Sequence, residues 1–189
     1  MGRLIYSMNT SIDGYIEDRR GSIDFSAPDE EVHRLANEHT RDTAAFLFGR
    51  RLYEMMEGPW REIAAQPDAS DVEAEFARLY LDTPRYVFSD TLREVPDGVT
   101  LVRRKDAVAE VKRLKEEIDG ALDLGGPELA ASMADLIDEF RLFAMPVLVG
   151  GGKPYLPVGE GLRLVLAEHR VFPSGTVYRR YVRQERTGS

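Results

Sequence analysis

The stretch 121-ALDLGGPELAAS-132 passes from an apolar run through two glycines and a proline into a pattern that favours helix. An apolar run closed by a turn signal describes a short strand, and Pro127 suits the first position of a helix, where no backbone N–H is needed. The step is strand, tight turn, helix. Two readings of Gly125 and Gly126 follow. Either the turn needs glycine on steric grounds, or the glycines clear side chains away so that a large charged group can approach the backbone. The spacing is not the dinucleotide fingerprint G-x-G-x-x-G.

The same step recurs on either side. Residues 3-RLIYSMN-9 read as a strand, and 10-TSIDGYIEDRRGSIDF-25 as a turn-prone connection. In 28-PDEEVHRLANEHTRD-42, Val32, Leu35 and Ala36 share a helical face, with acids in the first turn. The continuous apolar run 44-AAFLFG-49 reads as a strand buried on both faces. A short helix, 50-RRLYEMME-57, is expected to stop at 58-GPW-60. Further on come a helix at 70–82 capped by Ser70, strands at 85–89 and 99–102, an amphipathic helix at 105–119, a strand at 121–124 and a helix at 127–137. A strand at 139–149, a loop at 150–157 and two closing strands at 162–173 and 176–185, joined by the turn 173-PSG-175, complete the chain. Strands alternating with helices and ending in consecutive strands describe one α/β domain over 1–189, with a mostly parallel sheet and an antiparallel C-terminal edge.

Composition narrows the function. The 189 residues carry a formal net charge of −8, which disfavours a surface built to coat phosphates and so a nucleic-acid partner. A local group of donors for a small anion remains compatible with that charge. The chain has no cysteine, which excludes disulfides and cysteine-ligated metals, and its three scattered histidines give weak support to a zinc site, so no metal is expected. No apolar run reaches a membrane span of about 20 residues, and the start MGRLIYSMNTSIDG lacks the pattern of a signal peptide, so a cytoplasmic location and no membrane partner are expected.

In an open α/β sheet, ligands collect at the C-terminal ends of the strands. Three strand ends carry suitable residues: Gly49-Arg50-Arg51, Ser89, and Leu124-Gly125-Gly126. Arginines at a helix start oppose the helix dipole unless an anion offsets them. The plain alternatives are a turn glycine with solvated arginines and an ordinary strand-end serine. The methionines at 8, 55, 56, 133 and 145 read most simply as core filler, while Tyr53 and Trp60 could line a pocket or pack.

Taken together, 11-SIDGYI-16, 46-FLFGRRLYE-54, 86-YVFS-89, 124-LGG-126 and 146-PVLVGGG-152 resemble the dihydrofolate reductase-like superfamily, specifically the branch similar to the reductase domain of riboflavin biosynthesis. The resemblance implies an eight-stranded, mainly parallel sheet with helices on its faces, NADPH bound across it, and hydride transfer to a small-molecule substrate. That substrate would be a pyrimidine- or pterin-like heterocycle, 5-amino-6-(5-phosphoribosylamino)uracil among the candidates. No deaminase segment precedes the resemblance, so paired deamination and reduction are not expected. By the same resemblance, Arg50 and Arg51 meet the 2′-phosphate and pyrophosphate, Ser89 meets the 2′-phosphate, and Leu124, Gly125 and Gly126 approach the pyrophosphate. Asp13, with Gly14, lies in a loop over the nicotinamide. Laying 25-FSAPDEE-31 on the reductase pattern puts Phe25 at an aromatic position and Glu30 at the substrate acid, although acids there equally suit a helix start. Leu52 departs from the pattern, which has threonine there, so one hydroxyl contact to pyrophosphate is lost. Family members are often homodimers. The alternative is a nucleotide-binding protein that keeps the fold without turnover.

Overall fold

A computed structural model describes residues 1–157 and 161–184. Its main sheet has eight strands in the order β5-β4-β3-β6-β1-β7-β10-β9. The strands are β1 (Arg3–Ser11), β3 (Thr43–Gly49), β4 (Arg85–Phe88), β5 (Val99–Val102), β6 (Ala121–Gly125), β7 (Glu139–Met145), β9 (Leu164–Val171) and β10 (Val177–Arg183). From β5 to β7 every pairing is parallel, and β10 and β9 close the sheet antiparallel. The last residue of the strand expected at 176–185 lies outside the described residues. Among the described residues no helix is long and apolar enough to cross a membrane.

The α-helices among the described residues are α1 (Glu30–Arg41), α2 (Arg50–Ala64), α3 (Asp71–Asp82), α4 (Ala107–Glu117) and α5 (Pro127–Ser132). The alternation along each strand explains why both faces are covered. On β1, Leu4 and Tyr6 join Leu122, Leu124 and Val111 in one core, while Phe46 and Phe48 of β3 meet Tyr53, Phe76 and Tyr80 of α2 and α3 in another. Burial of each such side chain stabilises the fold by roughly 1.5–3 kcal/mol.

Three expectations are corrected. Helix α2 does not stop at Gly58-Pro59 but runs through Pro59 to Ala64. Proline forfeits one N–H bond there, yet Trp60 in the following turn packs on Phe76 with ring centroids 4.4 Å apart, and that contact outweighs the local preference. The segments read as a turn and a loop also pair. β2 (Tyr15–Asp18) and β8 (Gly152–Pro154) form a small antiparallel ribbon, and a Cβ on Gly152 would lie 1.9 Å from the Glu17 carbonyl oxygen. Only glycine lets the two backbones meet so closely. The helix expected at 127–137 breaks at Met133 and continues as a 3-10 turn, Ala134–Leu136.

Candidate functional site

A cleft of about 770 Å³ runs across the C-terminal ends of β5, β4, β3, β6 and β1. At the usual strand spacing, five strands span about 19 Å, and the sheet order arranges the lining residues along that length.

At the β5–β4 end lie Arg104, Ser89 and Thr91, with Arg50 beside them at the start of α2. Arg50 Nη1 donates to Thr91 Oγ1 at 2.6 Å, and that hydroxyl is 3.3 Å from Ser89 Oγ. Ser89 Oγ also accepts from the backbone N–H groups of Thr91 and Leu92 at 3.2 and 3.1 Å, which fixes the turn after β4. Asp90 Oδ1 accepts from the Arg104 N–H at 3.0 Å and so ties the β5 end to the β4 end. Arg50 is ion-paired to Glu54 at 2.7 Å, whereas Arg104 makes no ion pair among the described residues. Two guanidinium groups and two hydroxyls thus face one end of the cleft, a donor set suited to a phosphate.

Gly49 and Gly126 line the middle. Gly126 has φ +103°, a conformation that side chains rarely adopt, and nothing but Gly49 backbone lies within 4 Å of where its Cβ would be. Gly125 and Leu124 are not on the cleft wall. Leu124 is fully buried, and a Cβ on Gly125 would lie 2.3 Å from Leu52 Cδ2. Gly125 is therefore a packing glycine beneath Leu52. Leu52 fills the space above it rather than merely removing a hydroxyl.

The β1 end is different. Met8 and Asn9 rise from β1, and Leu52, Met55 and Met56 descend from one face of α2. Ile16 and Ile23 close the side, and Asn9 Nδ2 holds the Ser26 carbonyl at 2.9 Å. Three of the five methionines read as core filler thus line the cleft, while Met133 and Met145 are core. Glu17 of β2 is buried, 7 % exposed, and its carboxylate lies 3.1 Å from Arg51 Nη2 and 3.9 Å from Lys153 Nζ. Lys153 also lies 3.4 Å from Glu128.

The two acids proposed from the resemblance do not reach this wall. Asp13 is exposed and accepts from the Val149 and Gly150 N–H groups at 3.2 and 2.8 Å. Hydrogen bonds from Ser11 and from those amides hold its carboxyl below the usual range, and it joins the loop after β1 to the loop after β7. Glu30 opens α1 on the exposed face and pairs with Arg34 one turn on. Helix periodicity directs it away from the sheet. Phe25 packs beside Val32, Leu35 and Phe143, and Tyr53 lies in the α2–α3 core.

Glu17, Thr91 and Arg104 were missed by the sequence reading. The strand-end rule that singled out Ser89 applies equally to Arg104, two residues after β5. Nothing local marks Glu17, whose place depends on a partner strand more than 130 residues away.

An eight-stranded sheet of this order, with helices on both faces and an antiparallel C-terminal edge, defines the dihydrofolate reductase-like class. Residues 3–178 match the model of the RibD C-terminal domain, and the chain belongs to that family. It is 30% identical over 179 residues to the uncharacterized protein YyaP of Bacillus subtilis, covering 93% of this chain and 92% of that one. A putative riboflavin biosynthesis protein from Shewanella sp. PV-4 superposes with a TM-score of 0.68 at 24% identity, covering 98% of this chain and all of that one. The dihydrofolate reductase of Enterococcus faecalis, solved with NADP(H) and RAB-propyl, superposes with a TM-score of 0.63 at 13% identity over 97% of each chain.

Proposed function

We propose that this protein is an NADPH-dependent reductase acting on a small pyrimidine- or pterin-like heterocycle. The observation that carries the reading is the order of groups along the cleft: cations and hydroxyls at the β5–β4 end, open glycine backbone in the middle, and a largely apolar chamber at β1. Membership of the RibD C-terminal domain family supports it.

The donor set fits a nicotinamide dinucleotide carrying a 2′-phosphate. Arg50 and Arg104 would hold that phosphate, with Thr91 and Ser89 hydroxyls beside them, and the bare backbone at Gly126 would admit the pyrophosphate. The cofactor supplies hydride when bound. The chain's own residues orient and enclose: Ile16, Ile23 and Leu52 exclude water from the β1 end, and Asn9 fixes the segment that carries Ser26. Of the acids on the wall, Glu17 alone is buried, and it is engaged by two cations. The proton that completes a reduction is best supplied by water entering from the open side of the cleft.

A non-catalytic nucleotide-binding role is the second reading, and one observation favours it: neither Asp13 nor Glu30 lines the cleft. Incubation with NADPH and a panel of pyrimidines, pterins and aldehydes separates the two. Loss of absorbance at the nicotinamide band with any of them supports the reductase, while tight NADPH binding without oxidation by the whole panel supports the second reading.

A further inference from the structure

The charges around the two ends of the cleft are not equally available. At the β5–β4 end, Arg104 has no carboxylate partner among the described residues, and Arg50 shares its guanidinium between Glu54 and Thr91. At the β1 end, both cations are already answered. Arg51 Nη2 lies 3.1 Å from Glu17 and donates to the Gly21 carbonyl at 3.1 Å, and Lys153 lies 3.9 Å from Glu17 and 3.4 Å from Glu128. Glu17 is buried, so its pairing with Arg51 is screened less than a surface pair would be. A second anion entering at β1 would have to displace a buried carboxylate from its partner.

The rest of that end is apolar. Met8, Ile16, Ile23, Leu52, Met55 and Met56 surround it, and the uncharged polar groups on offer are those of Asn9 and Ser26. Methionine is unbranched and polarizable, and its sulfur packs favourably against aromatic rings, so a wall of three suits a flat ring system without demanding one outline. A phosphate placed against it would lose its hydration without gaining a donor.

From this asymmetry we infer that the β1 chamber takes a flat, uncharged substrate without a phosphate, and that Glu17 acts as the specificity residue by keeping Arg51 neutralised and, together with Glu128, Lys153. The inference rests on the reductase reading above. It excludes the phosphoribosyl form of the pyrimidine while keeping the ring.

The test is a matched pair, a neutral pyrimidine riboside and its 5′-phosphate, titrated against protein saturated with NADPH. The neutral member should bind at least tenfold more tightly. E17Q frees Arg51, leaves Lys153 only its exposed partner Glu128, and should shift the ratio toward the phosphorylated member by tenfold or more. M55E puts a carboxylate on the half-buried wall and, with the protein again saturated with NADPH, should weaken the neutral member at least tenfold. Equal or tighter binding of the phosphorylated member to the native protein, an unmoved ratio in E17Q, or NADPH binding with neither riboside bound would overturn the inference. Failure of NADPH itself to bind would instead remove the reductase reading, so the two failures are distinguishable.

Discussion

Leu52 of α2 occupies the volume that a side chain at residue 125 would need: a Cβ there would fall 2.3 Å from Leu52 Cδ2 and 3.0 Å from Phe48 Cδ1. The glycine is thus required by packing between helix and sheet. Gly125→Ala should destabilise the fold by about 1–3 kcal/mol, the usual cost of overpacking, because the buried Phe48 ring has less room to move than the end of Leu52 beside the cleft. Adding Leu52→Ala should recover part of that loss, because the two side chains compete for one space. Denaturant midpoints of both single variants and the double variant measure the coupling, and strictly additive losses would contradict it.

Gly126 behaves differently. Its Cβ would meet only ordinary contacts, but its φ of +103° is strained for any side chain, and its open side faces the cleft. Gly126→Val should abolish NADPH binding while unfolding stays cooperative, with a stability loss of about 1–3 kcal/mol. Normal NADPH affinity in the variant would mean that the residue serves the turn alone.

NADPH should be preferred to NADH by at least about tenfold, since a hydrogen bond to a charged group contributes roughly 1.5–3 kcal/mol. Arg50→Ala and Arg104→Ala should each reduce that preference while leaving NADH affinity nearly unchanged. Fluorescence titration of both cofactors on the three proteins checks this, and an unaltered preference in both variants would show that the phosphate binds elsewhere.

The pH dependence of stability has two opposed sources, Asp123 and His39. Asp123 lies in β6 opposite Ile5 and Phe46, where burial pushes its carboxyl from 3.8 up to about 7; nearby Glu139 adds to the rise and Arg141 opposes it. The folded chain thus retains a proton that the unfolded chain releases. The stabilisation is complete below about pH 4 and is lost as pH rises through about 7. His39 runs the other way. Burial, aided by Arg141 and Arg180, pushes it from 6.5 down to about 3, so its contribution is complete above pH 6.5 and is lost as pH falls toward 3. Asp123→Asn should gain stability over the native protein at pH 8.5 and little at pH 4. Equal changes at both pH values, read from urea midpoints, would count against the assignment.

We also expect a homodimer. β9 ends the main sheet, and it exposes Val165, Leu166 and Val171 at 47, 48 and 67%. An exposed apolar edge strand of this kind is normally covered. Light scattering at micromolar concentration should give twice 21.3 kDa, and a monomer mass would reject the expectation.

Much of the fold was legible because its signals are local. The run 44-AAFLFG-49 and the step at Leu124 to Pro127 each announce a buried strand turning into a helix within a few residues, and the structure places β3–α2 and β6–α5 there. The strand ends at Gly49, Arg50, Ser89 and Gly126 come together in one cleft for the same reason. What escaped the sequence depends on distant contacts. Trp60 keeps α2 helical past Pro59 only because Phe76 lies against it. Glu17 reaches the cleft only because β2 pairs with β8, and a ribbon with strands of four and three residues leaves no periodicity to read. Glu30 shows a different difficulty, since an acid in the first turn of α1 suits the helix start by itself, and the sequence pattern does not separate that role from a ligand contact.

The place of β1 in the sheet bears on how the protein is made. β1 is the first strand in sequence, yet both of its neighbours, β6 and β7, come after residue 120. A growing chain therefore carries β1 without its partners until most of the length has emerged, and closing the sheet means bringing together segments separated by more than a hundred residues. The part of the cleft formed by β3, β4 and β5 draws on one continuous stretch of sequence, whereas the methionine chamber has to wait for β6 and β7 to flank β1. A ligand of that chamber would therefore recognise only chains in which β1 has been paired, and its presence would draw that pairing forward by mass action.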